Sequence, residues 1–339
     1  MISVIIPAYN AGQTIDRCLD ALALQTVSQD SYEIVVVDDD SSDDTRVRVQ
    51  AHGGVQLLTQ HHAGPAAARN LGVERAVGEI VLFTDADCAP AQDWIERMIA
   101  PLRSAAEDLD TTSIVGVKGV YRTAQRELVA RFVQLEYEDK YDHMARQGSI
   151  DFIDTYSAGY RRDVFLANGG FDSSFPVASV EDQEFSFRLA ERGYSMVFVP
   201  EAVVTHCGHP RTLCAYWRRK FRIGYWKVQV HARHPGKLVR DSHTPQSLRA
   251  QILLVGLLGI CVLGGLFWPP LRWGIGISGA AFLLTALPFV RKAWRQDRPV
   301  AAVAPFLLFV RSLALGTGFA AGLVARGGPW GARRGDVHK

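Results

Sequence analysis

The chain has 339 residues, and its formal net charge of +2 at pH 7 gives no reason to expect nucleic acid as a partner. A chain of this length holds one large domain or two. Its five cysteines are scattered without C-x-x-C spacing, which argues against a disulfide framework and against a zinc site. No signal peptide precedes the first apolar run, so we expect the N-terminal domain to face the cytoplasm.

The N-terminal part of the chain alternates short apolar runs with segments typical of helices. The runs at 2–6, 34–37, 55–58 and 80–83 predict buried strands. Strands that alternate with helices predict an α/β fold with a doubly wound, mostly parallel sheet. Polar residues that follow such strands are expected at the carboxyl edge of the sheet, where open α/β sheets bind their ligands.

Two carboxylates, Asp85 and Asp87, follow the apolar run at 80–83. If they continue that strand, residues two apart share a face, and both side chains reach one cation or its water shell. Hard oxygen ligands suit Mg or Mn rather than Zn. A D-x-D pair alone is also compatible with a strand-to-loop turn in which an aspartate caps the next helix.

Four segments of the N-terminal part resemble glycosyltransferase family 2 in their sequence, order and spacing. They are Pro7-Ala8-Tyr9-Asn10, Val37-Asp38-Asp39-Asp40-Ser41-Ser42-Asp43, Gly64-Pro65-Ala66-Ala67-Ala68-Arg69-Asn70 and Asp85-Ala86-Asp87. The resemblance covers roughly residues 1–235 and implies a glycosyltransferase with the GT-A fold, a Rossmann-like α/β domain with a mostly parallel sheet. Asp40 replaces the Gly or Asn of the family, and we expect it to adopt the same left-handed turn.

The resemblance implies a donor site for a nucleoside-diphosphate sugar of the UDP or GDP type. Its expected nucleotide-binding residues are Pro7, Ala8, Tyr9, Asn10, Asp39, Arg69 and Asp85. In this interpretation Asp39 accepts a hydrogen bond from the nucleobase imide, whereas in the alternative it only caps a helix. Arg69 either approaches the diphosphate or is an ordinary solvated arginine of a helix.

The expected cofactor is a divalent metal, Mg or Mn, and the expected metal ligands are Asp87, Asp85 and His206. The metal would stabilise the charge that develops on the departing nucleoside diphosphate. The resemblance implies that Asp87 binds the metal directly and that Asp85 contacts ribose or metal-bound water. A surface or hydrogen-bonded histidine is the alternative for His206, and His209 is a weaker candidate.

A second acidic cluster, Glu181 and Asp182, stands at the start of an expected helix. The resemblance to the E-D motif of the family implies that Asp182 is the general base, with Glu181 as second choice. The base takes a proton from an acceptor hydroxyl that attacks the anomeric carbon in line, so configuration inverts. Acids favoured by the helix dipole are the alternative. Tyr160 replaces an Asn in the acceptor-side segment, which weakens any inference about the acceptor.

Residues 211–248 form a basic segment between the catalytic part and the apolar C-terminal part. From 202 to 240 the sequence has nine Lys or Arg and no acid. Apolar residues recur every three or four positions from Leu213 to Val228, which predicts an amphipathic helix on anionic membrane lipids. A solvated cationic face is the alternative. Residues 217–221 do not match the Q-x-x-R-W motif of processive family members, which favours transfer of a single sugar.

Residues 249–325 predict transmembrane helices at about 250–268, 273–290 and 301–325. The basic residues at 291–298 place the loop after the second helix in the cytoplasm. Arg311 lies inside the third stretch, which either spans with Arg311 in a protein interface or dips into the membrane and returns. We prefer a third helix, although a full span puts the basic tail at 326–339 outside, against the charge rule.

The sequence therefore predicts a multi-pass membrane protein whose GT-A catalytic domain, residues 1–210, faces the cytoplasm. Its expected activity is inverting, metal-dependent glycosyl transfer to a membrane-associated, lipid-linked or glycan acceptor in cell-envelope glycan synthesis. A nucleotidyltransferase and a non-catalytic membrane scaffold on the same fold are the alternatives. A nicotinamide dehydrogenase is disfavoured, because no G-x-G-x-x-G follows the first strand.

Overall fold

The computed structural model describes residues 1–107, 114–175, 180–239 and 241–327. The chain divides into two compact units. The first unit comprises residues 1–124, 141–208 and 241–243, and the second comprises the remainder. The expected catalytic domain, residues 1–210, therefore differs from the first unit mainly at 125–140, which belong with the C-terminal helices. Most of the expected basic tail at 326–339 lies outside the described residues.

The strands of the first unit form one sheet, which has eight strands within the described residues, in the order β3-β2-β1-β4-β7-β6-β8-β5. The strands are β1 Ile2–Ala8, β2 Tyr32–Asp38, β3 Val55–Thr59, β4 Ile80–Phe83, β5 Cys88–Pro90, β6 Ile114–Arg122, β7 Ala158–Arg161 and β8 Ser195–His206.

The helices follow the strands as the alternating pattern predicts. They are α1 Ile15–Ala23, α2 Thr45–Ala51, α3 Pro65–Arg75, α4 Trp94–Glu107, α5 Leu128–Met144, α6 Arg162–Ala167, α7 Glu181–Glu191, α8 Leu213–Arg233, α9 Gln246–Gly264, α10 Arg272–Gln296 and α11 Arg298–Gly327. The prediction of an α/β fold with a mostly parallel sheet is confirmed for the first unit.

Parallel pairing brings the carboxyl ends of the first strands together. β1 lies between β2 and β4 and runs parallel to both, so that Ala8 pairs with Asp38 and Ile5 pairs with Phe83. These strands are apolar along nearly their whole length because helices and neighbouring strands cover them, as is usual for parallel sheets. The polar residues that follow β1, β2 and β4 therefore leave the sheet at one edge.

An aromatic cluster forms part of the core beside β4. Phe165 is 1% exposed, and its ring centroid lies 5.5 Å from that of Phe83, 5.1 Å from that of Phe171 and 4.9 Å from that of Phe185. Tyr160, at the position that we assigned to the acceptor side, is fully buried in the same cluster. Its side chain therefore packs in the core.

Small residues let α8 and α11 approach closely in the second unit. A Cβ on Gly224 would lie 2.3 Å from the carbonyl oxygen of Leu315, and a Cβ on Gly318 would lie 2.1 Å from that of Phe221. Real Cβ atoms do not approach this closely, so these two contacts require glycine. The apolar positions of α8 thus pack in part against protein.

Three helices of the second unit are long and apolar enough to cross a membrane. They comprise Gln246–Gly264, Pro269–Gln296 and Arg298–Ala325. The first helix begins and ends earlier than the stretch expected from the sequence. The second begins earlier and ends later than expected, and the third begins earlier. In the most apolar part of each of the first two helices, only 22% is buried against protein, whereas 56% of the corresponding part of the third helix is buried. Arg311 of the third helix is buried in a protein interface, as the spanning interpretation requires.

Replacing Phe165 by Ala should destabilise the protein by about 3–5 kcal/mol, because the aromatic cluster loses its central ring and keeps a cavity. In detergent the Tm of the full chain should fall by roughly 10 °C. Leu166→Ala is the matched control. The Leu166 side chain is 40% exposed, so its truncation should lower the stability of the protein much less. Equal shifts in the two variants would contradict the core assignment.

Candidate donor and catalytic site

The loops after β1 and β2 are joined by hydrogen bonds. The backbone N–H of Asn10 donates to Ser41 Oγ at 2.8 Å, and Asn10 Oδ1 accepts from the N–H of Ser42 at 2.8 Å. Asn10 and Asp40 both adopt positive φ, 49° and 68°, which Asn and Asp tolerate better than other residues. The left-handed turn expected at Asp40 is therefore confirmed, and Arg46 Nη2 offsets its charge at 3.2 Å.

Asp39 is 3% exposed, and its carboxylate organises the loop that precedes α3. Oδ1 accepts hydrogen bonds from Gln60 Nε2 at 2.7 Å and from the N–H of Ala63 at 2.8 Å. Oδ2 accepts from the N–H of Gly64 at 2.9 Å and lies 3.0 Å from His62 Nδ1. A nucleobase imide can reach this carboxylate only by replacing or sharing one of the side-chain partners.

Tyr9 provides an exposed aromatic surface beside Asp39. Its side chain is 52% exposed, and its ring centroid lies 4.5 Å from that of His62. Exposed aromatic faces suit a planar base because stacking tolerates many ring chemistries. Pro7 and Ala8 end β1 and are buried. His62 beside Tyr9 is a neighbour that the sequence did not indicate.

Arg69 connects the end of β4 with the start of α7. It is 3% exposed, donates from Nη2 to Asp85 Oδ1 at 2.7 Å, and donates from Nη1 to Glu181 Oε1 at 3.3 Å. The solvated alternative for Arg69 does not hold in this structure. Two of the motifs therefore meet at one guanidinium group, although Asp85 and Glu181 are far apart in the chain.

Asp182 is half-buried at the first turn of α7 and follows Glu181 directly. Burial and the neighbouring charge of Glu181 raise the pKa of Asp182 to about 7, and Arg69 opposes this increase. A carboxylate with a pKa near 7 binds protons strongly enough to act as a general base, and about half of it is ionised at pH 7. This is the property expected of a group that accepts a proton from a hydroxyl.

Asp87, Cys88 and His206 form a small group of potential metal ligands. Each offers one ligand atom, and these atoms lie within 4.8 Å of one another. His206 Nε2 is 3.3 Å from Asp87 Oδ2, because the antiparallel pairing of β5 and β8 sets Cys88 opposite His206. A Cβ on Gly208 would lie 2.1 Å from Asp87 Oδ2, so glycine is needed for this approach.

Asp85 is not one of the three residues of that group. β4 ends at Phe83, so Asp85 and Asp87 do not belong to a strand and the argument from a shared strand face does not apply to them. Asp85 pairs with Arg69, whereas Asp87 lies beside His206. A carboxylate and an imidazole at this distance fit a divalent cation.

His209 lies in the second unit. Its ring is buried, and Nε2 lies 3.4 Å from Gln134 Oε1. The lower weight given to His209 as a metal ligand agrees with this position.

Two features of the site were missed from the sequence. Cys88 follows the D-x-D pair directly, but only the pairing of β5 with β8 brings it to His206. Lys118 is buried in β6, pairs with Asp154 and donates to Tyr156 Oη at 2.8 Å. A lysine within an otherwise apolar strand was the available signal, because a buried ammonium needs a partner.

Comparisons with known proteins agree with this geometry. The family model for glycosyl transferase family 2 matches residues 3–167. The glycosyltransferase AglE of Haloferax volcanii is 30% identical over 237 residues, which cover 68% of this chain and 73% of AglE. The pre-mycofactocin glycosyltransferase of Mycobacterium tuberculosis is 28% identical over 260 residues, which cover 75% of this chain and 52% of that protein.

A solved structure supports the same fold. The mannosyltransferase PcManGT from Pyrobaculum calidifontis, crystallised with GDP-Man and Mn²⁺, has a TM-score of 0.57 and 22% identity, over 95% of this chain and 86% of that one. The family match, the likeness to AglE and this shared GT-A architecture lead to one conclusion. The chain belongs to glycosyltransferase family 2.

Proposed function

We propose that this enzyme transfers one sugar, with inversion and with a divalent metal, from a UDP or GDP sugar to a lipid-linked or glycan acceptor at a membrane. The proposal rests on Arg69, whose buried guanidinium joins Asp85 of the donor motif to Glu181, the neighbour of the candidate base Asp182. Donor-binding and proton-accepting groups are thus held together by a single side chain. The setting would be cell-envelope glycan synthesis.

The donor nucleotide is proposed to occupy the edge of the sheet beyond β1 and β2. Tyr9 supplies the stacking surface, and Asp39 supplies an acceptor for the base. Asp85 is proposed to contact ribose or metal-bound water with the oxygen that does not pair with Arg69. Arg69 is directed at two carboxylates, so we assign it a positioning role and not a direct contact with the diphosphate.

Asp182 is proposed as the general base. A proton passes from the acceptor hydroxyl to the Asp182 carboxylate as the hydroxyl oxygen bonds to the anomeric carbon and the bond to the nucleoside diphosphate breaks. Attack from the face opposite the leaving group inverts the configuration. Glu181 keeps the pKa of Asp182 high, and Arg69 limits that increase.

Asp87 and His206 are proposed to hold Mg or Mn, with Cys88 at the edge of the site. When bound there, the cation supplies positive charge for the departing nucleoside diphosphate. Burial and the carboxylates of Asp85 and Asp87 raise the pKa of the Cys88 thiol, so this side chain is neutral near pH 7. The Asp87 carboxylate is the ligand of this group that suits Mg or Mn.

The C-terminal helices are proposed to anchor the enzyme as a multi-pass membrane protein. α9 and α10 form an apolar hairpin with little protein contact, and α11 is proposed as the third span. Arg291, Lys292 and Arg295 follow the apolar part of α10, and the charge rule supports a cytoplasmic position for that end. An enzyme held in this way meets a membrane-associated acceptor more readily than a soluble one.

Replacing Asp182 by Asn should reduce transfer by about 10²–10⁴-fold while nucleotide binding persists, because the variant cannot accept the proton. In the wild type, kcat/KM should increase as pH rises through about 7, since the base acts when deprotonated and its pKa is raised to about 7. Transfer from UDP and GDP sugars to membrane extract measures both quantities.

Asp163→Asn is the control for this variant. Asp163 lies in α6 with its side chain 67% exposed, so its loss should leave the rate and the pH profile unchanged. A D182N enzyme that retains wild-type transfer would show that Asp182 is not the base.

Replacing Asp87 by Ala should abolish the Mn-dependent stabilisation that a matching nucleoside diphosphate gives the purified protein. Ligand at 100 times its Kd stabilises a protein by about 2.7 kcal/mol, so the Tm should increase by roughly 5 °C in the wild type. Differential scanning fluorimetry with UDP or GDP, with Mn or with chelator, tests this.

The matched control is Asp93→Asn, an exposed aspartate that pairs with Arg97 at 2.7 Å and should not alter nucleotide binding. Equal stabilisation of the wild type in Mn and in chelator would contradict the metal site.

Replacing Arg69 by Met should destabilise the protein by about 3 kcal/mol, because Asp85 and Glu181 are left without their cation. Adding Glu181→Gln should restore part of the loss, since one uncompensated carboxylate is then neutral. The Tm of the folded full chain measures both effects. Arg75→Met, at the exposed end of α3, should change stability by less than about 0.5 kcal/mol. If R69M were as mild as R75M, the positioning role would be wrong.

A further inference from the structure

The group formed by Asp87, Cys88 and His206 combines a carboxylate, a thiol and an imidazole. Mg and Mn prefer oxygen ligands, whereas thiolate sulfur and imidazole nitrogen are the usual ligands of zinc, which also binds carboxylates. Three protein ligands of these types are the set of a zinc site that keeps a fourth position open. The sequence has no C-x-x-C spacing to indicate such a site, because the structure takes Cys88 and His206 from different strands.

The ligand atoms of this group are spaced for tetrahedral coordination. Cys88 Sγ lies 3.8 Å from Asp87 Oδ1, and His206 Nε2 lies 3.3 Å from Asp87 Oδ2. Zinc bonds of about 2.3 Å to sulfur and about 2.0–2.2 Å to nitrogen and oxygen give a tetrahedron with edges of roughly 3.3–3.7 Å. Small movements of the side chains are therefore enough to close the three ligands around one ion.

Two paired strands hold these ligands in place. β5 and β8 set Cys88 opposite His206, and the N–H of Cys207 donates to the carbonyl oxygen of Asp87 at 3.1 Å. The ring of His206 stacks on that of Tyr121, with the ring centroids 5.1 Å apart. The backbone and the imidazole are thus oriented before a metal binds, which lowers the cost of binding.

The group is buried on the side of the sulfur and open on the side of the carboxylate. Cys88 is 1% exposed, whereas the Asp87 side chain is 34% exposed. A Cβ on Gly208 would lie 2.1 Å from Asp87 Oδ2 and 3.2 Å from His206 Nε2, so glycine keeps a side chain away from these two ligand atoms. A cation can therefore enter from the side of Asp87.

The thiol of Cys88 changes the charge of the bound complex. Zinc binds cysteine as the thiolate, so the S–H bond breaks, a bond forms between sulfur and zinc, and the proton passes to solvent. Two anionic ligands then cancel the charge of the cation, whereas Mg or Mn held by Asp87 and His206 beside a neutral thiol keeps a positive charge. A neutral complex gives little stabilisation to the charge on a departing nucleoside diphosphate.

We propose that Asp87, Cys88 and His206 bind Zn²⁺ and that zinc bound there inhibits the enzyme by displacing Mg or Mn. Coordination by sulfur makes the site selective for the softer ion and also removes the positive charge that transfer needs. The inhibitory role rests on the proposed function, because it requires that the donor metal occupies this site. The binding of zinc itself does not depend on the donor chemistry.

Metal binding by the full chain, purified in non-ionic detergent and kept free of nucleotide, tests the site directly. Isothermal titration calorimetry should give a lower Kd for Zn²⁺ than for Mn²⁺. Cys88→Ser should raise the Kd for Zn²⁺ by about 100-fold and change the Kd for Mn²⁺ by less than about threefold, because the substitution removes the sulfur ligand with little change in size. Co²⁺ in place of Zn²⁺ should give a sulfur-to-cobalt charge-transfer band with the wild type.

Cys207→Ser is the matched control, since Cys207 follows His206 directly but its Sγ accepts a hydrogen bond from Arg17 Nη1 at 2.8 Å. This variant should keep the Kd for Zn²⁺ and the charge-transfer band. Equal losses in C88S and C207S would overturn the proposal, and so would zinc binding that is no tighter than that of Mn²⁺. A wild-type Co²⁺ complex without the band would overturn it whether or not the variants fold.

The inhibitory role is measured by transfer from UDP or GDP sugars in Mn²⁺, which should fall as Zn²⁺ is added and recover with excess Mn²⁺. Zinc that supports transfer as well as Mn²⁺ would overturn this role. If no nucleoside diphosphate stabilises the protein with Mn²⁺ while Zn²⁺ still binds through Cys88, the proposed function fails and the zinc site stands.

Discussion

The organisation of the first unit depends on neutralising one buried guanidinium. Arg69 is nearly inaccessible to solvent, so it needs anionic partners, and Asp85 and Glu181 provide them. Its position follows from α3, which starts where the Asp39 carboxylate binds the preceding amides. Gly72 lets this helix lie on β1, since a Cβ there would meet Ile5 Cγ2 at 2.4 Å. Loop, helix packing and ion pair thus determine where the acidic groups of the site stand.

The buried charge groups around Arg69 and around Glu136 differ in their balance. Arg69 faces two carboxylates directly, with Asp182 nearby, so acidic charge is in excess beside the expected cation and proton-transfer site. Around Glu136, which pairs with Lys220 and Arg311, the cations are in excess. Buried charge that does not balance within the protein is compensated by a ligand, a proton or a changed pKa. Burial, together with the neighbouring Glu181, raises the pKa of Asp182.

Local features of the chain were predictable, whereas contacts between distant strands were not. The strand ends and the left-handed turn at Asp40 follow from apolar runs and short-range sterics, which the sequence displays directly. The position of Cys88 beside His206 depends on pairing between strands more than a hundred residues apart. Tyr160 illustrates the same limit, because its place in a motif suggested the acceptor side whereas its neighbours in space make it part of the core.

The basic helix α8 shows why an amphipathic pattern does not specify what each face contacts. Apolar positions at helical spacing predicted a membrane surface, yet Gly224 brings this helix against the backbone of α11. The basic residues divide accordingly: Arg218 and Arg222 are exposed, whereas Lys220 turns inward to Glu136. Exposed arginines can attract anionic lipids in general, because surface electrostatics is not selective.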